Sequence, residues 1–78
     1  MSPKHRPLTC KEVKRILRNL GFTPEKHSST SHEKWTKTAD GKRRIVTVDC
    51  PKEPFGNDLI RYMALQAGVT RDQFYSAL

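Results

Sequence analysis

At 78 residues the chain has room for one domain, and with 35% apolar residues and a mean hydropathy of -0.75 its core must be compact. Fifteen Lys and Arg against eight Asp and Glu give a net charge of +7; RNA, DNA, an anionic membrane surface or an acidic protein would each answer that field, as would plain solubilising charge. No apolar run nears the roughly 18 residues needed to span a bilayer, and no apolar segment follows the basic N-terminus as a secretory signal requires, so the expected location is cytoplasmic with no membrane partner.

Residues 1–8 (MSPKHRPL) hold two prolines and three basic or titratable side chains, and read as a loose basic N-terminal arm. Residues 9–78 read as a single domain. Thr9 and Glu12 make a T-x-x-E capping box, in which each side chain satisfies an orphan backbone N–H. Val13, Ile16, Leu17 and Leu20 then recur at helical spacing, and Gly21 supplies the left-handed stop. Phe22 to His27 can form a short strand, which Pro24 either confines to an edge or demotes.

After the polar run Ser28 to Ser31, two strands are expected at His32 to Thr38 and Lys42 to Cys50. Asp40-Gly41 between them is a hairpin turn signal, because both residues tolerate positive φ. Alternation places His32, Lys34 and Thr36 on one face and Ser31, Glu33 and Trp35 on the other. Trp35 is expected inside and His32 exposed. Asn57 is expected to cap a second helix with Leu59, Ile60, Met63, Ala64 and Ala67 inward and Gly68 as its stop. Thr70 and Gln73 cap a short last helix with Phe74 and Leu78 inward. The order is helix, three strands, helix, short helix, an α+β arrangement with the helices on one face of an antiparallel sheet.

Cys10 and Cys50 have neither CxxC spacing nor a neighbouring histidine in metal-ligand range, and two buried thiols are expected, with a single disulfide as the alternative. The histidines are the side chains whose charge changes most readily near neutral pH. His5 lies in the arm and His27 at the end of the first strand. His32 stands where a polar loop becomes a strand, after Thr30 and Ser31 and before Lys34 and Trp35. RNA carries its own nucleophile, the 2′-hydroxyl. An imidazole that takes its proton, or protonates the 5′-oxygen leaving group, contributes ~10²–10⁴-fold. Lys34, Arg43 and Arg44 are the cations in sequence range to hold the phosphate. Spacing alone does not separate this from an ordinary surface histidine, a charged strand edge at Lys42-Arg43-Arg44 and a core tryptophan.

Three fragments resemble the HicA toxins, small ribonucleases of bacterial toxin–antitoxin pairs. They are KEVKRILRNLGF (Lys11 to Phe22), SHEKW (Ser31 to Trp35), and IVTVDCP followed by LIRYMALQAGVTRDQF. Each is short, and their order and spacing carry the likeness over nearly everything after the arm. The resemblance implies an α-β-β-β-α fold similar to double-stranded-RNA-binding domains. It further implies endoribonuclease cleavage of mRNA with no metal or other cofactor, a catalytic histidine at His32, and neutralisation by a HicB-type antitoxin. Ser31, Lys34, Arg43 and Arg44 are then the expected phosphate-binding residues. A non-catalytic RNA-binding module on the same fold is the alternative. Two places depart from the family pattern: Thr30 stands where glycine is usual before Ser-His, and Lys52 to Asp58 replaces a more basic connection.

Overall fold

Thr9 opens the first helix by accepting the Glu12 backbone N–H on its hydroxyl at 3.2 Å, while the Glu12 carboxylate accepts the Thr9 N–H at 3.0 Å. In the computed structural model, which describes residues 6–26 and 32–78, that helix is α1 (Cys10–Asn19). It is followed by β1 (Thr23–Pro24), β2 (His32–Ala39), β3 (Lys42–Asp49), a 3-10 turn (Cys50–Lys52), α2 (Asn57–Ala67) and α3 (Arg71–Ser76). His5, His27, Thr30 and Ser31 lie outside the described residues.

The sheet is antiparallel in the order β1-β2-β3. Asp40 (φ 52°) and Gly41 (φ 72°) form the two-residue turn between β2 and β3, and both positive φ values are what lets the strands leave the turn with their native twist. Ala39 then pairs with Lys42, and the ladder runs unbroken to His32 opposite Asp49. One face of this hairpin carries Glu33, Trp35, Lys37, Arg44, Val46 and Val48. Trp35, Val46 and Val48 are fully buried there, with Trp35 inside as expected.

Both long helices cover that face. Along β2, Lys14 pairs with Glu33 at 2.7 Å, Arg18 lies 5.4 Å from the centroid of the Trp35 ring, and Lys37 donates to the Leu20 carbonyl at 2.7 Å. Over β3, α2 contributes Ile60, Met63, Ala64 and Ala67 to a core that also holds Val13, Ile16, Leu17, Phe22, Phe55 and Phe74. Each fully buried aliphatic or aromatic side chain contributes about 1.5–3 kcal/mol over its exposed state. Gly68 (φ 79°) stops α2, and Thr70 with Gln73 closes a second capping box ahead of α3.

Four details differ from the sequence reading. The first strand keeps two residues, Thr23 and Pro24, because the proline cannot donate to a ladder. The cap of α2 is Gly56, and the Asn57 side chain instead accepts from Arg71 at 2.6 Å. Leu59, expected inside, is 39% exposed. Cys10 and Cys50 are joined by a disulfide. α1 starts beside the end of β3, which brings the two Cα atoms to 5.2 Å across a sequence separation of 40. A loop of that length gives about 4 kcal/mol in the chain-entropy model.

Of the N-terminal segment, residues 6–8 are described and are held in place. Leu8 is fully buried and exchanges backbone hydrogen bonds with Phe55 at 3.2 and 2.7 Å. Arg6 grips Glu12 with two bonds, 3.1 and 2.6 Å. Among the described residues no helix is long and apolar enough to cross a membrane.

Candidate functional site

The ladder that buries Trp35 turns His32 to the opposite face, where its side chain is 63% exposed. The turn at Asp40-Gly41 counts seven further residue pairs down the hairpin and so sets Asp49 directly across from His32. The Nδ1 atom of His32 lies 3.8 Å from Oδ2 of Asp49. That is beyond hydrogen-bond range and within electrostatic reach. The 3-10 turn after β3 brings Lys52 back by one turn, its Nζ 3.8 Å from the same oxygen. A carboxylate thus stands between an imidazole and an ammonium group at the end of the sheet.

These three residues form the polar end of a cleft of about 240 Å³ that wraps the free edge of β3. Phe55 and Met63, both buried, make its floor, and Leu59, Tyr62 and Gln66 of α2 make its far wall. The Gln66 side-chain oxygen accepts the Thr47 backbone N–H at 3.4 Å, covering an edge donor that the sheet leaves unpaired.

The cations named from the sequence are divided among three places. Lys34 shares the face of His32, two residues along β2. Arg43 lies on the same face, opposite Thr38. That is six residues from His32, or about 20 Å at the rise of a strand, and its guanidinium pairs with Glu25 at 2.9 Å. Arg44 is on the inward face, its guanidinium against Gly68 at the C-terminal end of α2, where a cation meets the negative end of the helix dipole. Lys37, its cross-strand partner, does the same for α1. The two like charges diverge to different helix ends.

The residues that sequence reasoning missed are Asp49, Lys52, Tyr62 and Gln66. Asp49 was within reach, because a two-residue turn at Asp40-Gly41 fixes its pairing with His32. The other three depend on how α2 and the 3-10 turn pack against the strand edge, which no local pattern encodes. Among the described residues no three His, Cys, Asp or Glu side chains converge as metal ligands.

The family model described as the HicA toxin of bacterial toxin–antitoxin pairs matches residues 10–69. That span runs from the first residue of α1 to just past the end of α2, and takes in the sheet, His32, Asp49 and the whole cleft. No curated protein and no solved structure matches the chain.

Proposed function

Because this chain belongs to the HicA toxin family, we propose that it is an endoribonuclease that cleaves messenger RNA through His32 without a metal ion. As a toxin of a toxin–antitoxin pair it has an antitoxin partner, and in this reading that partner is of the HicB type. The observation that carries the proposal is the exposed imidazole of His32 at the mouth of a cleft, with a carboxylate and an ammonium group converging beside it.

The RNA supplies its own nucleophile. The 2′-oxygen attacks the adjacent phosphorus, its bond to phosphorus forms as the bond to the 5′-oxygen breaks, and the 5′-oxygen takes a proton from solvent, which leaves a 2′,3′-cyclic phosphate and a 5′-hydroxyl. The exposed imidazole of His32, its Nδ1 3.8 Å from Asp49, is the group that takes the 2′-hydroxyl proton. Lys52 and Lys34 supply positive charge for the phosphorane. Ser31 stays within the proposal as a contact to the RNA strand, whereas Arg43 and Arg44 are engaged by Glu25 and by the C-terminal end of α2.

A duplex-RNA-binding module on this fold would carry cations at the start of α2 to follow the phosphates. The first turn of α2 carries Asp58 instead.

The test is incubation with single-stranded RNA in the presence of a chelator. His32→Ala is expected to lower the cleavage rate ~10²–10⁴-fold with RNA affinity changed by less than about threefold. Intact RNA with the unaltered protein, together with retained binding, would leave only the module reading.

A further inference from the structure

The cleft beside His32 is larger than proton transfer at one phosphate requires, and its composition is uneven. One end is polar: His32, Asp49 and Lys52. The rest is an apolar floor of Phe55 and Met63 under a wall formed by Leu59 and Tyr62, closed at the far side by Gln66. Tyr62 is 59% exposed, an aromatic ring held at the surface of a strongly basic protein within the same cleft as the candidate catalytic histidine. Its volume of about 240 Å³ lies below the roughly 300–1,000 Å³ of drug-sized ligand pockets, which suits one flat ring better than a larger ligand.

From this arrangement we infer that the cleft is a nucleobase subsite. Tyr62 stacks on the base of a nucleotide flanking the cleaved bond, so that its ribose-phosphate reaches His32 and Lys52. The inference rests on the endoribonuclease reading for the identity of the polar end, and on the cleft itself for the rest. Single-stranded RNA bases are recognised by stacking on exposed aromatic side chains and by hydrogen bonds to their edges. Gln66 provides the second component. Its amide oxygen must face the Thr47 backbone donor, which fixes the side-chain orientation and leaves the NH₂ group as the donor available to the cleft. A base with an acceptor on the presented edge is therefore accepted, and one presenting a donor there is disfavoured.

The test uses a fluorescein-labelled single-stranded RNA of mixed sequence. Its affinity is measured in the His32→Ala background, where it stays intact, and its cleavage is measured in the unaltered background. Tyr62→Ala is expected to weaken binding and raise KM together by roughly 5- to 150-fold, the range that loss of one base–aromatic stack carries. Tyr62→Phe, which keeps the ring, should stay within twofold of the parent. Tyr62 is 59% exposed, and thermal melts of both variants should superimpose on the parent.

Affinity and KM unchanged in Tyr62→Ala would overturn the inference, with cleavage still supporting the endoribonuclease reading. Tyr62-dependent binding of RNA that the protein never cuts would uphold the subsite and remove the catalytic reading. If Tyr62→Ala weakens only the complex with the antitoxin, the wall is a protein-binding surface and the subsite is excluded.

Discussion

His32 and Glu12 show how differently two titratable side chains can be placed on one small domain. His32 has a carboxylate at 3.8 Å and a side chain 63% exposed to solvent. Glu12 is locked. Hydrogen bonds from the Arg6 guanidinium, and then from the Thr9 backbone N–H, hold its carboxyl down from the ordinary 4.5 to about 2. A carboxyl whose pKa is lower in the folded chain stabilises the fold above its unfolded value, and that contribution is lost as pH falls through the folded value. The window therefore runs from about pH 4.5 down to about pH 2. Glu12→Gln keeps a capping-box acceptor and removes the titration. Thermal melts across that window should show the parent losing more stability on acidification than the variant does. Parallel curves would mean that the Arg6–Glu12 contact does not hold in solution.

At the scale of elements, the capped helices and the hairpin were legible because their determinants are local. Thr9 with Glu12 and Thr70 with Gln73 announce helix starts, and Asp40-Gly41 announces the turn. Alternation set Trp35 and His32 on opposite faces, and the register from that turn pairs Trp35 with the buried Val46 and so settles which face is inside. What was not legible came from packing between elements. Leu59 is left at the surface because α2 lies along the edge of β3, turning that side of the helix toward the cleft. Arg43 and Arg44 are adjacent in sequence yet point to opposite faces, one to Glu25 and the other to the end of α2. Gly68 marks the same junction. Its φ of 79° is left-handed, and a Cβ there would fall 2.5 Å from the Arg44 guanidinium carbon. The side chain of Arg44 can swing away, so the backbone carries most of the cost. Gly68→Ala is expected to lower stability by about 1–2 kcal/mol in urea denaturation, and an unchanged midpoint would contradict this account of the helix stop.

For the whole molecule, the +7 charge is spent unevenly. Arg6, Lys14, Lys37, Arg43 and Arg71 are engaged in holding the fold together, so net charge overstates what an RNA strand meets. With Lys34 and Lys52 as the phosphate contacts beside His32, affinity for single-stranded RNA should fall with salt at a log–log slope of about -1.4, near -0.7 for each phosphate neutralised. Lys52→Ala should reduce that slope by about 0.7. A slope several times steeper, untouched by the substitution, would place the strand on another face. Composition alone pointed to a polyanion partner; the tertiary structure shows which cations are engaged within the fold.

The central claim is that the protein cuts RNA by turning its 2′-hydroxyl on the neighbouring phosphate, with an imidazole moving the proton. The chemistry of the new 3′ end tests this most directly. RNA cleaved in chelator should end in a 2′,3′-cyclic phosphate, or the monophosphate that forms when it opens, with a 5′-hydroxyl on the other fragment. Fragments ending in a 3′-hydroxyl beside a 5′-phosphate would contradict it, because water and not the ribose would then have been the nucleophile.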